Sequence, residues 1–281
     1  MAQTPVLSQQ NENLTPPDLT PETPDTPQNP LPASFRTDDY TTDDFLGGNL
    51  RLIQPKKGYR VSMDTVLLAA AVPAKSGDLI LEPGTGSGGA SLCLARRVQG
   101  AKVMGVELQD QMIALARENI KLNNLADYVT LMQGDITDRK SWPKEGQVDH
   151  VMVNPPYLAN GKALRPPEEN KGLAHMESTA SLKDWINYCL YCLKPRGTFT
   201  IVYRADRADE IIARLYRRFG EIKIMPLWPR QGCAAKRVII QARKGVHGAM
   251  QILPGLALHG DKERYTPQAE AILRNGEPLI L

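Results

Sequence analysis

The 281-residue sequence predicts an α/β protein built on a doubly wound, mostly parallel sheet, preceded by a disordered N-terminal tail. Three observations predict it. Short β-rich runs alternate with helical patterns through the body of the chain, which implies parallel strands joined by crossover helices. A glycine-rich turn follows the first of those runs, where ligands of such sheets bind. The chain is 42% hydrophobic and 23% charged, a balance that supplies a sizeable core.

The tail comes first. Residues 1–44 hold eight prolines among Thr, Gln, Asn and Asp and carry a net charge of −7. Too little apolar surface is available there to offset the entropy of ordering. At least Met1 to Ala33 is expected to be disordered, with a tail over residues 1–41 and a single folded domain over 42–281. The tail lacks the basic start and apolar stretch of a signal peptide. The longest apolar run, Val66 to Ala74, falls far short of the roughly 20 residues of a membrane span and contains Pro73. A cytoplasmic location with no membrane partner is the expectation.

Next, Ser62 stands where a helix cap would, with Asp64 in the following turn. "DLILEP" (78–83), "KVMGVEL" (102–108), "YVTLMQGD" (128–135), "DHVMVN" (149–154), "TFTIVY" (198–203) and "RVIIQAR" (237–243) read as strands. Between them, Met112, Leu115, Ala116 and Ile120 share one helical face. Ile211, Ile212, Leu215 and Phe219 repeat the pattern over Ala208 to Phe219. Cys189 and Cys192 form a C-x-x-C inside "WINYCLYCLKPRG", a helix expected to stop before Pro195 and Gly197. With no second such pair, the cysteines read as small buried hydrophobes rather than metal ligands, and no metal is expected.

The unusual stretches fall at predicted strand ends. In "LEPGTGSGGA", Gly84, Gly86 and Gly88 allow a tight turn that brings backbone against a ligand. Gly84, Gly86 and Gly89 equally fit the dinucleotide fingerprint, with Glu107 about 20 residues on, so a nicotinamide cofactor stays open at this point. Glu107 is placed to accept hydrogen bonds from a ribose diol, and Asp135 to read an adenine amino group. Acids at three successive strand ends (Glu82, Glu107, Asp135) suit a cationic nucleoside better than a pyrophosphate, which they would repel. S-adenosylmethionine is such a ligand. On these residues the sequence resembles the class I S-adenosylmethionine-dependent methyltransferases, whose acidic glycine loop corresponds to Glu82, Gly84, Gly86 and Gly88. The resemblance implies their Rossmann-like fold.

In that family an N-P-P-Y at the end of the fourth strand holds an amide-type nitrogen for methylation, matched here by Asn154, Pro155, Pro156 and Tyr157. A conjugated amine is a poor nucleophile because its lone pair is delocalised. The Asn154 side-chain oxygen and the Pro155 carbonyl would each accept one amine hydrogen, favouring the tetrahedral nitrogen of the transition state. Tyr157 would offer a ring for a planar group to stack on. Neither a metal nor a covalent nucleophile is needed, since displacement at a sulfonium methyl mainly asks for alignment.

Four longer stretches, "KKGYRVSMDTVLLAAA", "NPPYLANGKALRPPEENKGLAHMES", "PLWPRQGCAAKRVIIQARKG" and "LALHGDKERYTPQAEAILRNG", resemble the bacterial tRNA(Val) adenine-N6 methyltransferase family from about Thr42 onward. The resemblance implies an anticodon-loop adenine as substrate, Tyr59 and Arg60 near the cofactor's methionine end, and the loop Leu158 to Glu177 over the target base. It gives His175 no catalytic role. Lys194 to Lys244 holds 13 Lys or Arg against four acids, net +9, which makes a polyanionic partner such as tRNA plausible, with Arg217 and Arg218 expected on the RNA-facing surface. The same N-P-P-Y serves glutamine-N5 methyltransferases of peptide-chain release factors, which place a folded helical domain before the cofactor domain. Guanine-N2 methyltransferases of ribosomal RNA are a further alternative, as is a binding scaffold without turnover. A nicotinamide oxidoreductase would leave N-P-P-Y unexplained.

Overall fold

The computed structural model describes residue 35, residues 38–156 and residues 180–281. Most of the expected tail, Tyr157 and the loop from Leu158 to Glu177 lie outside the described residues.

The chain enters through a hairpin, β1 (Tyr40–Phe45) with β2 (Leu50–Pro55), which begins two residues before the expected boundary at Thr42 and was not legible as strand. The helix α1 (Met63–Ala71) follows. Then come β3 (Leu79–Pro83), α2 (Gly89–Arg97), β4 (Lys102–Glu107), α3 (Asp110–Leu122), β5 (Val129–Gln133), β6 (Val148–Val153), α4 (Leu182–Cys192) and β7 (Leu193–Arg204). The chain finishes with α5 (Ala208–Leu215), β8 (Phe219–Trp228), β9 (Arg237–Lys244), β10 (Gln251–Ile252), β11 (Leu256–Ala257) and α6 (Pro267–Asn275).

One sheet holds the strands in the order β10, β8, β9, β7, β6, β3, β4, β5, with β11 also on β8. All pairings are parallel except those of β9, which lies antiparallel between β7 and β8. Successive residues alternate between two cores, as the two-residue period of a strand requires. Ile80, Met152, Val202 and Ile239 pack with α1, α2 and α6 on one face. Leu81, Val151, Ile201 and Ile240 pack with α4 and α5 on the other.

The expected helix over Ala208 to Phe219 stops at Leu215, and Phe219 instead opens β8. Arg217 adopts φ +61°, the Arg218 amide donates to Leu215 O, and the Arg218 guanidinium donates to Arg214 O, so the turn is closed by groups a helical period does not register. Ser62 does sit at the N-cap of α1 but makes no side-chain cap bond, while Asp64 pairs with Arg237 at 3.0 Å. The C-terminal carbonyls of α1 are met by Arg97, which donates to Ala69 O and Val72 O. Cys93, Cys189 and Cys192 are buried, and burial pushes the Cys93 and Cys192 thiols up to about 12. Cys233 departs from the expectation: it is exposed, on the loop between β8 and β9. Among the described residues no helix is long and apolar enough to cross a membrane.

Candidate active site

Because β3, β4, β5 and β6 run parallel, their C-terminal ends share one edge. From β3 the sheet grows through β4 to β5 on one side and through β6 to β7 on the other, so the topological switch lies between the ends of β3 and β6. The glycine loop leaves β3 there, opposite Asn154.

The loop is held by its neighbours. The Gly84 and Thr85 amides both donate to Val106 O at 2.7 and 3.1 Å, tying the loop to β4. Gly84 has φ +68°, and a Cβ there would stand 2.7 Å from the Trp185 ring, so α4 approaches the loop as closely as glycine allows. Gly86 has φ +56°, a conformation L side chains rarely adopt, although the nearest atoms to a Cβ there are those of the Tyr59 ring at 3.7 Å. Gly88 caps α2 with φ +88°.

Glu82 is 4% exposed. Its Oε2 accepts from Thr85 Oγ1 (2.8 Å), the Ser91 amide (2.9 Å) and Ser91 Oγ (2.5 Å). Burial nevertheless raises its pKa to about 7, helped by the Glu107 charge and opposed by those hydrogen bonds. A carboxyl that binds its proton more tightly folded than unfolded makes the native state the greater proton binder between about 4.5 and 7. Stability is therefore expected to fall as pH rises through that window, by on the order of 3 kcal/mol from this group. Urea melts of the wild type and Glu82→Gln at pH 5 and 7.5 check this: the variant should lose that part of the pH dependence, and equal dependence in both proteins would refute it.

Glu107 is also buried. Its Oε2 accepts from the Gly86 amide at 2.9 Å, and its Oε1 from the Leu108 and Gln109 amides at 2.9 and 3.0 Å. Three of the roughly four acceptor positions of a carboxylate are thus filled by backbone, and the remaining one lies on Oε2, beside the loop. Asp135 closes its own turn, Oδ1 accepting from the Thr137 amide and hydroxyl at 2.7 Å each.

Asn154, half-buried, directly follows the last residue of β6; Pro155 is buried and Pro156 exposed. Tyr59 joins this group. Its ring stands over Gly86, its hydroxyl lies 3.4 Å from Thr65 Oγ1 and within hydrogen-bond reach of Asn154, and burial of that hydroxyl raises its pKa, with the Glu82 charge adding to the rise. Arg60 is turned elsewhere. Its guanidinium binds Asp43 (2.6 Å), Thr41 Oγ1 (3.1 Å) and Pro55 O (2.9 Å), locking the β1–β2 hairpin rather than touching the loop.

The structure thus gathers Glu82, Gly84, Gly86, Gly88, Glu107 and Asn154 at one edge of the sheet, with Tyr59 against Gly86 and Asp135 just past the end of β5. It also adds residues the sequence reading missed. Trp185 packs on Gly84, Thr85 and Ser91 hold Glu82, and Asn119 binds both Ile53 O (3.1 Å) and Ser87 O (2.9 Å), joining the hairpin to the loop. A signal for Asn119 was present, one polar residue four positions after Leu115 on an otherwise apolar helical face. Chemically, the crevice offers acceptors and negative charge to a cationic, hydroxyl-bearing ligand, next to a side-chain amide fixed at a strand end. Among the described residues no cluster of His, Cys, Asp and Glu is arranged to hold a metal ion.

The chain is similar to known methyltransferases in sequence and in fold. Residues 80–166 match the model of a methyltransferase domain. The tRNA1(Val) (adenine(37)-N6)-methyltransferase of Aeromonas salmonicida is 30% identical over 195 residues, covering 68% of this chain and 80% of the relative. The protein of the same name from Bacteroides thetaiotaomicron is 26% identical over 215 residues, covering 75% and 88%. Among solved structures, a predicted O-methyltransferase from Agrobacterium tumefaciens superposes with a TM-score of 0.64 at 25% identity, covering 78% of this chain and 99% of that one. TYW2 of M. jannaschii, solved in complex with AdoMet, shares the fold with a TM-score of 0.52 at 14% identity, covering 74% and 86%.

Proposed function

Since this chain belongs to the S-adenosylmethionine-dependent methyltransferases of class I, in the family of the tRNA1(Val) (adenine(37)-N6)-methyltransferases, we propose that it methylates the exocyclic N6 amine of an anticodon-loop adenine in tRNA(Val). The observation that carries this reading is the placement of Asn154 and Pro155 at the switch point, across from the glycine loop and beside the Tyr59 hydroxyl.

The residues present fit the cofactor. Its ribose hydroxyls are donors and the free acceptor position of Glu107 faces the loop; its positive charge matches a crevice walled by Glu82 and Glu107. When bound, S-adenosylmethionine supplies a methyl group on a sulfonium, ready for displacement. The protein's own residues do the rest. Glu107, pinned by three backbone amides, orients the ribose, and the glycine loop brings backbone against the ligand without side chains in the way. Asp135, with Oδ1 committed to Thr137, would leave Oδ2 to accept from the cofactor's adenine amino group.

At the other side of the crevice the Asn154 oxygen and the Pro155 carbonyl accept the two hydrogens of the target amine. That pairing would draw the nitrogen lone pair out of conjugation with the ring, an interaction that strengthens as the nitrogen becomes tetrahedral. The Tyr59 hydroxyl lies within hydrogen-bond reach of Asn154 and helps to hold that amide in place. Tyr157, outside the described residues, would offer the ring on which the target base stacks.

The test offers unmodified tRNA(Val), unmodified ribosomal RNA and a peptide-chain release factor side by side with labelled S-adenosylmethionine. Label at N6 of the anticodon-loop adenine is the expected result. Label on the release factor alone would establish the glutamine-N5 alternative, and label on a guanine of ribosomal RNA the guanine-N2 alternative.

A further inference from the structure

We propose that the RNA backbone is gripped by a rim made of the β8–β9 loop and the turn after β11, with Arg230 and Lys236 as its phosphate contacts. This rests on the RNA reading above and names the surface that serves it.

In the linear sequence the +9 excess of residues 194–244 looks like one basic region. The antiparallel insertion of β9 divides it between two edges of the sheet. Val153 of β6 pairs with Ile201 of β7, Arg204 at the end of β7 pairs with Arg237 at the start of β9, and Arg237 pairs with Leu227 near the end of β8. The β8–β9 loop therefore lies on the Asn154 edge. Phe219 pairs with Lys244 and Thr198 with Arg243, so Arg196, Arg217 and Arg218 lie on the opposite edge. Arg217 and Arg218, expected from sequence to face the RNA, are on the side away from the site.

On the site edge most cations are already spent. Arg204 pairs with Asp206 at 2.5 Å, Arg207 with Glu210, and Arg237 with Asp64 at 3.0 Å. Arg230 and Lys236 are exposed and form no ion pair among the described residues. An aromatic pair adjoins Arg230. The His259 amide donates to Pro229 O at 3.0 Å, next to Arg230, and the His259 and Tyr265 rings stack at 5.4 Å and 21°, with the Arg264 guanidinium 5.5 Å from the Tyr265 ring. Asp261 and Glu263 offset Lys262 and Arg264, so this turn adds a stacking surface and no net charge. Unpaired cations beside half-buried rings are a combination that suits a single-stranded nucleic acid, phosphates on the cations and bases on the open ring faces.

The spacing suits a substrate whose target base leaves its stack. β8 is three places from β6 in the sheet, or about 14 Å at the usual strand separation. That is about four nucleotides of stacked strand, so the rim would meet the loop flank while the extruded base reaches Asn154.

Titrating unmodified tRNA(Val) against salt tests the rim. Replacing Arg230→Gln with Lys236→Gln is expected to weaken binding at least ~10-fold near 0.1 M salt and to lower the log–log salt slope by about two, one for each lost contact. The R230E/K236E pair should do more, in the same direction. S-adenosylmethionine affinity should stay unchanged in both, which reports an intact fold. R196E/R217E, on the opposite edge, should bind tRNA as the wild type does. If wild-type protein binds tRNA but the rim variants keep its affinity and slope, or if the opposite-edge pair loses as much, the rim is overturned and the proposed substrate stands. If wild-type protein shows no salt-dependent binding to any RNA, both fail together.

Discussion

Replacing Asn154 with alanine is expected to lower turnover on unmodified tRNA(Val) about 100-fold while leaving S-adenosylmethionine affinity nearly intact, the pattern of losing one acceptor that acts in the transition state. The structure makes this separation sharp. Asn154 sits just past the end of β6, across the switch point from the loop, so truncating its side chain removes nothing that holds Glu82 or Glu107. The Pro155 carbonyl remains to accept one hydrogen, which keeps the loss finite. Single-turnover rates with saturating cofactor, alongside calorimetry of cofactor binding, measure the two quantities independently. A variant that turned over at the wild-type rate would refute the role of the strand-end tetrapeptide, and one that lost cofactor affinity in proportion would move Asn154 from the chemistry to the cofactor.

Glu107→Ala is expected to do the reverse, weakening S-adenosylmethionine binding by about 1.5–3 kcal/mol, or roughly 10- to 150-fold in Kd. Two effects combine. A charge-assisted bond to the ribose is lost, and the amides of Gly86, Leu108 and Gln109 lose the acceptor that now joins the glycine loop to the start of α3. Glu107→Gln removes the charge and turns one of the two acceptor oxygens into a donor, so it keeps either the Gly86 amide or the Leu108 and Gln109 amides and is expected to weaken binding as well. Calorimetry with S-adenosylmethionine and with NAD decides the matter: unchanged affinity, or tighter binding of NAD, would count against the cofactor assignment for this residue.

Much of the site was legible because its chemistry is local. Glycines at Gly84, Gly86 and Gly88 are required by backbone conformations with positive φ, and an acid at a strand end is visible wherever a β-rich run stops. The alternation of runs predicted parallel pairing among the strands, and the acids with N-P-P-Y pointed to a cationic cofactor and an amine substrate. Short exposed or mixed strands were harder. The β1–β2 hairpin carries polar residues such as Thr41, Asp43 and Arg51, and it exists because α3 supplies partners to its edge: Asn123 bonds both the amide and the carbonyl of Arg51, and Asn119 those of Ile53. Nothing within Tyr40 to Pro55 announces those bonds.

The sequence by itself determined the elements whose signals lie within a few residues: the glycine turn, the strand-end acids, the tetrapeptide at Asn154 and the helix holding Cys189 and Cys192. Tertiary structure alone decided how distant segments share an edge. The helical period through Phe219 was overruled by a turn closed through Arg214 and Arg218, which freed β8 to pair. The reversed direction of β9 then put Arg230 and Lys236 with Asn154 and sent Arg217 to the far side, because strand direction fixes which end of a segment meets which edge and charge count carries no direction. Arg60, adjacent in sequence to a residue of the crevice, was drawn to Asp43 instead, since a carboxylate 2.6 Å away outweighs proximity along the chain.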